Sequence, residues 1–179
     1  MRICRRLFVV VLADANHGKS IAMNALLSQG LGVLSPGRKG ARRLVSPWGR
    51  EIDAYIFVRS YQETEKAEYG TVKGALNAND PSWRERELII FPSHVQGSRA
   101  DIDGMIDAAH LGGFDIVCAS LIMTGDDGDD RKSFANIWRK DWDERWTLPN
   151  PSTEDSKWPA QVEALGRDLW TWICRALAS

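Results

Sequence analysis

Gly18, Lys19 and Ser20 stand between an apolar run and a segment with helical spacing, and their residue types are suited to holding a phosphate group. With the preceding residues they match the Walker A pattern G-x-x-x-x-G-K-[ST], except that Ala13 replaces the first glycine. In such a loop, backbone amides surround phosphate oxygens, lysine neutralises the β- and γ-phosphates, and the serine hydroxyl ligates Mg²⁺. The spacing therefore predicts phosphate chemistry at residues 13–21.

The elements that would position this loop are also indicated by the sequence. Leu7–Leu12 is a continuous apolar run, typical of a strand buried on both faces, and residues 20–27 change to helical spacing. A strand, a turn and a helix are therefore expected in succession. The other strands are predicted at 52–58, in a hairpin with 43–45, at 87–91 and at 114–123.

Strands that alternate with helices predict a three-layer α/β domain with a mostly parallel sheet, whose ligands bind beyond the carboxyl ends of the strands. We expect a single domain over 1–179, with an α/β core at 1–130 and helices rich in tryptophan at 131–179. The helices are predicted at 63–76, from Ser98 with a capping box to Asp101, at 133–146 and at 157–177. Trp170 lies off the apolar stripe of the last helix, which favours an exposed position.

The phosphate loop resembles those of the P-loop NTPase superfamily, and locally those of Era-like GTPases, which read G-x-x-N-x-G-K-S before a helix containing N-A-L. Asn16 and the run 24–26 occupy those places, and the resemblance covers about residues 7–27. It implies a protein that binds ATP or GTP with Mg²⁺, with Lys19 as a catalytic group and Ser20 as the metal ligand. The residues expected to hold the nucleotide are Asp14, Ala15, Asn16, His17, Gly18, Lys19, Ser20 and Ile21.

Several features of those GTPases are missing from this chain. No threonine occurs between Ser20 and Arg59, where a switch threonine would stand. The run 59–62, Arg-Ser-Tyr-Gln, replaces D-x-x-G, and 124–127 replaces N-K-x-D, so guanine specificity is not supported. No predicted strand ends in the acid that positions Mg²⁺ or the attacking water in such enzymes. Nucleotide binding is therefore better supported than hydrolysis.

A second resemblance, to ParA/MinD-like ATPases, covers the order of strand, proline-containing turn, helix and strand between 88 and 121. The signature loop lysine of those ATPases falls at Asp14, which reverses the charge. A dimer built on that lysine is therefore not expected.

Two further residues are candidates for catalysis. His94 follows the predicted strand 87–91 at the switch-point edge and could orient a water molecule or a substrate hydroxyl, although a plain strand-end turn is the alternative. Arg99, predicted on a loop at the same edge with Arg131 and Lys132, could stabilise phosphate charge, the alternative being a solvated surface charge.

The segment 38–50 is strongly basic. It combines five cations with an aromatic ring: Arg38, Lys39, Arg42, Arg43, Trp48 and Arg50. Phosphate contacts combined with stacking are typical of nucleic-acid surfaces, so a nucleic acid is one possible partner, and an acidic protein or a solvated face are the alternatives.

Composition favours a cytoplasmic protein without a membrane segment. The net charge is −1, divided into +8 over residues 1–50 and −9 over the rest, and the three cysteines lie far apart. The longest apolar run, 7–13, is much shorter than the 18 or so residues of a membrane helix. Basic residues before this run imitate a signal peptide, but seven apolar residues is at the lower limit for one.

The sequence thus predicts a Mg²⁺-NTP-binding protein, a weak or partner-dependent NTPase that acts as a regulatory switch on a protein partner. One alternative is a phosphotransferase with a lid formed by 131–145. The other is a non-catalytic interaction module that has a decayed phosphate loop and docks through its tryptophan-rich helices.

Overall fold

The structure is a computed structural model, and it describes residues 5–14, 17–34, 37–124, 131–151 and 157–179. It is an α/β structure with one six-stranded, mostly parallel sheet. The strands are β1 (Leu7–Leu12), β2 (Gly40–Val45), β3 (Glu51–Ile56), β4 (Leu88–Ile90), β5 (Asp115–Met123) and β6 (Glu144–Asn150). The helices are α1 (Lys19–Leu31), α2 (Tyr61–Tyr69), α3 (Val72–Asn79), α4 (Arg99–Leu111), α5 (Arg131–Trp138) and α6 (Trp158–Ala178), with a 3₁₀ turn at Trp83–Glu85.

The strand β1, which precedes Gly18 and Lys19, lies inside the sheet. The order of strands is β2-β3-β4-β1-β5-β6, and β1 pairs in parallel with both β4 and β5, where Val9 faces Ile90 and Val117. All six residues of β1 are buried, as the uninterrupted apolar run predicts for a strand covered on both faces. The hairpin of β2 and β3 is the one antiparallel pair of the described sheet.

Helices cover both faces of the sheet. One face packs against α1 and α6, and the other packs against α2, α3, α4 and α5. The helices α1 and α6 cross at close range, because a Cβ atom on Gly166 would overlap the backbone of Ala22. The lack of a side chain at Gly166 therefore lets α6 pack directly against the backbone of α1.

The predicted helix at 63–76 is wrong, because the chain forms two helices there. Gly70 ends α2 with a positive φ of 67°, and Thr71 starts α3 by accepting a hydrogen bond on its Oγ1 from the amide of Gly74 at 3.0 Å. Glycine C-caps and threonine N-caps are both common, so the break follows from local chemistry. The predicted capping box at Ser98 is also wrong, since its hydroxyl donates to the Val95 carbonyl instead.

The larger error lies in the C-terminal part, which is not wholly helical. The helix predicted over 133–146 ends at Trp138, and residues 144–150 form β6, which pairs in parallel with β5. Burial alternates along β6, which is the period of a strand, and Pro149 is tolerated because β6 is an edge strand. The expectation for Trp170 is reversed as well: Trp170 is buried, whereas Trp172 is 36% exposed.

Among the described residues, no helix is both long enough and apolar enough to cross a membrane.

Candidate functional site

A backbone hydrogen bond joins two residues of the connection from β1 to α1. The amide of His17 donates to the carbonyl of Asp14 at 3.2 Å, and α1 begins at Lys19 after Gly18. Gly18 has a φ of 85°, a left-handed conformation that other residues rarely adopt. A Cβ atom on Gly18 would also lie 2.8 Å from Cγ1 of Val162 in α6. Glycine is therefore required at this position both by its backbone conformation and by packing.

Lys19 folds back over this loop. Its Nζ donates to the carbonyl oxygen of Ala13 at 3.0 Å and lies 3.2 Å from Nδ1 of His94. Burial lowers the pKa of Lys19, while the nearby carboxylates of Glu63 and Asp14 act in the opposite direction. The carbonyl of Ala13 thus holds the ammonium group of Lys19 at the loop, where it is largely removed from bulk solvent.

A cleft of about 430 Å³ opens beside Lys19. One wall is the start of α1, from Gly18 to Ile21, and a second wall is formed by the turn between β3 and α2 and by Glu63 of α2. His94 and Trp158 complete the lining. Because the first amides of a helix have no acceptor within the helix and carry the positive end of its dipole, this cleft is suited to an anion.

His94 lies between a cation and a carboxylate. Its Nε2 is 3.3 Å from Oε1 of Glu63, while Nδ1 faces Lys19. Since an ammonium group can only donate, Nδ1 accepts and the ring proton of neutral His94 lies on Nε2, towards Glu63. Burial lowers the pKa of His94, and the charge of Lys19 lowers it further, against the opposing effect of Glu63 and Asp14.

Gln62 fixes the backbone that carries His94. Its Oε1 accepts from the amide of His94 at 3.0 Å, and its Nε2 donates to Oγ of Ser93 at 2.9 Å and to Asp101 at 3.1 Å. Asp101, nearly buried, forms an ion pair with Lys66 at 2.9 Å. This network joins α2, α4 and the end of β4, so the wall of the cleft that contains His94 is held by hydrogen bonds.

The cleft lies where the chain reverses its direction across the sheet. The connection from β1 leads to β2 and β3 on one side, and the connection from β4 leads to β5 on the other. Ligands of open α/β sheets bind beyond the carboxyl ends of the strands at such a switch point. A bridge between Leu12 and Ser93 extends the pairing of β1 and β4 up to the cleft. The expected position of His94 at this edge is confirmed.

Most of the predicted loop residues line one of two neighbouring clefts. Lys19 and Ser20 line the cleft described above, and Asp14 and His17 line a second opening of about 400 Å³ that also contacts His94. Ala15 and Asn16 lie outside the described residues.

Arg99 does not join the cleft. The predicted loop position is wrong, because Arg99 is the first residue of α4; it is exposed and lies outside the described lining of both clefts. Arg131 and Lys132 likewise belong to α5 rather than to a loop. Residues 125–130, which include four aspartates, lie outside the described residues.

The cations of the segment 38–50 do not converge on one surface. Lys39 pairs with Glu65 of α2 at 2.8 Å, on one face of the sheet, whereas Arg50 contacts the carbonyl of Leu177 in α6, on the other. Arg50 also pairs with Glu87 at 2.6 Å. Arg43 lies 3.5 Å from a carboxylate oxygen of Glu51 on β3, and the guanidinium of Arg42 donates to the carbonyl of Arg38. Trp48 is exposed at the tip of the hairpin.

Four polar or aromatic residues of the cleft were missed as site residues from the sequence. Arg59, Ser60 and Glu63 follow β3, and Trp158 begins α6. The signal available for the first three was their position directly after a buried strand, at the same edge of the sheet as the phosphate loop. Nothing in the sequence near Trp158 indicates that the start of α6 lies against Gly18.

No protein-family model, no curated protein and no solved structure matches the chain. The function is therefore argued from the cleft and from the residues that line it.

Proposed function

We propose that the cleft binds the phosphates of a nucleoside triphosphate, ATP or GTP, and that the bound nucleotide controls a protein partner. The observation that carries the proposal is the position of Lys19. Its ammonium group reaches back to the carbonyl of Ala13, six residues earlier, and so stands over the loop at the start of α1. A cation at that place neutralises a polyphosphate held by the loop amides.

The residues present fit Mg²⁺ bound together with the phosphates. Ser20 is exposed at the cleft, and Glu63 is a carboxylate in its lining. No group of three or more metal-ligating side chains occurs among the described residues, but Mg²⁺ beside a nucleotide needs only one or two protein ligands. The Ser20 hydroxyl would hold the ion, whose chemistry there is to neutralise the charge between the phosphates.

A phosphate that accepts two hydrogen bonds from Lys19 would compete with the contact between Lys19 and His94. An ammonium group has three donors, and the described contacts use Ala13 and His94. When Lys19 turns towards a phosphate oxygen, Nδ1 of His94 loses its donor and becomes free to accept from a water molecule. This arrangement supports slow hydrolysis that a partner could complete.

The phosphotransferase alternative loses the observation that suggested it. Residues 131–145 do not form a lid, because β6 begins at Glu144 and pairs with β5. Arg145 donates to the backbone carbonyls of Trp138, Lys140 and Trp142, so its guanidinium is used in joining α5 to β6.

The test compares Lys19→Ala with Lys73→Ala, which removes the same charge from an exposed position on α3. At a nucleotide concentration of 100 Kd, binding stabilises the folded state by about 2.7 kcal/mol, which raises the Tm of a chain of this size by about 5–10 °C. We expect this rise with Mg²⁺-ATP or Mg²⁺-GTP in the wild type and in Lys73→Ala, and its loss in Lys19→Ala. Equal binding by the wild type and Lys19→Ala would overturn the proposal.

A further inference from the structure

A small pocket lies between the turn after β3, the helix α2 and the segment before β2. We call it the Phe57 pocket; it has a volume of about 150 Å³ and is lined by Lys39, Phe57, Val58, Arg59, Thr64 and Glu65. Of this described lining, only Val58 and Arg59 also line the cleft at Lys19. A cavity of about 150 Å³ admits a molecule of the size of benzene, so the pocket suits a small organic molecule rather than a nucleotide.

One part of the Phe57 pocket is apolar and held in place by packing. The side chain of Phe57 is buried, and its ring stacks on Phe91 with the ring centroids 3.7 Å apart. Val58, half-buried, adds aliphatic surface beside it. The apolar body of a ligand that covered these two residues would be stabilised by the loss of its exposure to water.

The other part of the pocket contains a buried carboxylate that is already neutralised. Glu65 is 2% exposed, and its Oε1 accepts from Nζ of Lys39 at 2.8 Å, while its Oε2 accepts from Nδ2 of Asn79 at 2.7 Å. The same contact holds the ammonium group of Lys39 at the pocket. Because an ammonium group has three donors and the described contact uses one, Lys39 can donate to a ligand without leaving Glu65.

Arg59 gives the lining an excess of positive charge. Its side chain is exposed, and no ion pair joins it to another residue in the described part of the chain. The lining therefore combines the cations Lys39 and Arg59 with one acid, Glu65, and a single negative charge on a ligand would balance it. A guanidinium group presents a planar set of donors that matches the two oxygens of a carboxylate.

We propose that the Phe57 pocket binds a small organic monocarboxylate. The carboxylate group lies between Arg59 and Lys39, and the apolar body of the ligand lies against Phe57 and Val58. This site goes beyond the proposed function, because it needs neither a nucleotide nor the connection from β1 to α1. An inorganic anion would lack the apolar body and a neutral molecule would lack the charge, so the ligand must combine the two.

The test titrates the full chain, without nucleotide and at constant ionic strength, with sodium butyrate, whose anion is similar in size to benzene. Nuclear magnetic resonance follows the backbone amides of Val58 and Thr64. We expect saturable shifts with a Kd of about 1 mM, which is consistent with so small a ligand. Butyramide keeps the shape without the charge, and inorganic phosphate keeps a charge without the apolar body. Each should bind at least about 10-fold more weakly.

Replacement of Arg59 assigns the binding to this pocket. Arg59→Ala should weaken butyrate binding about 10-fold, and Arg59→Lys, which keeps the charge but not the planar donors, about 3-fold. Arg99→Ala removes an exposed arginine outside the described lining and should bind butyrate as the wild type does. Because Arg59 is exposed, Arg59→Ala should unfold in urea at the same concentration as the wild type. A loss of binding without a loss of stability is the expected signature.

Several outcomes would overturn the assignment. They are the absence of saturable shifts at about 50-fold the expected Kd, equal affinity for butyramide or phosphate, and equal affinity of Arg59→Ala and the wild type for butyrate. Lys19→Ala distinguishes this site from the proposed function, since Lys19 lies outside the described lining of the Phe57 pocket. That variant should bind butyrate normally, so either proposal can fail while the other stands.

Discussion

Replacement of Gly18 by alanine tests whether α6 constrains the connection from β1 to α1. Two separate effects oppose a side chain there. The φ of 85° is left-handed, which costs a non-glycine residue about 1–2 kcal/mol. The new Cβ would also lie 2.8 Å from Cγ1 and 3.0 Å from Cγ2 of Val162, and overpacking of this kind costs about 1–3 kcal/mol. We expect Gly18→Ala to lower the free energy of unfolding by about 2–5 kcal/mol in total.

Gly32 provides the matched control at the other end of α1. It has a similar φ of 71°, but no described atom lies within 4 Å of the Cβ it would gain. Gly32→Ala should therefore show the backbone effect alone, about 1–2 kcal/mol. Equilibrium unfolding in urea at pH 7.5, without nucleotide, gives both values, and their difference measures the contact with α6.

A double-mutant cycle with Val162→Ala assigns that difference to its source. Removing both Cγ atoms of Val162 should reduce the cost of Gly18→Ala by at least about 1 kcal/mol. Part of the cost should remain, because Cζ3 of Trp158 also lies 3.0 Å from the new Cβ. The reasoning is refuted if Gly18→Ala costs no more than Gly32→Ala, or if its cost is the same with and without Val162.

Two further predictions concern the helical core and the histidine of the cleft. Trp170→Ala should lower the free energy of unfolding by about 3–5 kcal/mol because Trp170 is buried. Trp172→Ala should lower it by only about 1 kcal/mol because Trp172 is partly exposed. Urea unfolding measures both values, and a larger loss for Trp172→Ala would contradict the burial of Trp170. Because burial and Lys19 lower the pKa of His94 below its ordinary 6.5, the unfolded chain takes up a proton first as the pH falls. The folded state should therefore lose stability as the pH falls from about 6.5 to the pKa of His94 in the folded protein. His94→Gln should lack this part of the pH dependence. If the wild type and His94→Gln showed the same dependence of stability on pH, the lowered pKa of His94 would be disproved.

The parts of the fold that the sequence predicts correctly are those in which local pattern and tertiary environment agree. Leu7–Leu12 is apolar throughout and is buried on both faces between β4 and β5. The hairpin of β2 and β3 has its turn at Pro47-Trp48-Gly49, where Gly49 has a positive φ of 86°. In these segments the same physical requirement, burial on both faces for β1 and a positive φ in the turn, determines both the residue types and the conformation.

The region 138–146 was mispredicted because its three tryptophans share a helical spacing for unrelated reasons. Trp138 ends α5, where its indole N–H donates to Oγ of Ser120 at 3.0 Å. Trp142 lies in the connection to β6 and is buried, with its indole N–H donating to the carbonyl of Ile137. Trp146 lies on β6, edge to face with Trp172. Helical spacing alone cannot distinguish one apolar face of a helix from three tryptophans that make separate contacts of this kind.

The residues of the candidate site also fall into two groups: those that a local sequence pattern indicates and those that only the tertiary structure brings together. Gly18, Lys19 and Ser20 could be proposed as site residues from the sequence because the Walker A pattern is contiguous and gives each residue type a defined role. Glu63, Ser60 and Trp158 reach the cleft only through the sheet order and the packing of α6, which no local pattern specifies. Their chemistry becomes apparent only when the two walls are brought together.

The two walls of the cleft differ in what holds them, and this difference bears on how the proposed switch would act. The wall at the start of α1 is fixed by packing, because Gly18 contacts Val162 and α1 crosses α6 at Gly166 without intervening side chains. The opposite wall is held by hydrogen bonds from Gln62, by the contact between His94 and Glu63, and by the packing of the buried Tyr61, at the start of α2, edge to face on Phe91. Displacing either α6 or α2 requires loss of apolar burial, whereas the contacts of His94 with Lys19 and Glu63 exchange with water or ligand at a small net free energy. A nucleotide that draws Lys19 from His94 would therefore change the contacts of His94 and Glu63 before it moved either helix, so a partner that senses the nucleotide should contact the cleft at Glu63.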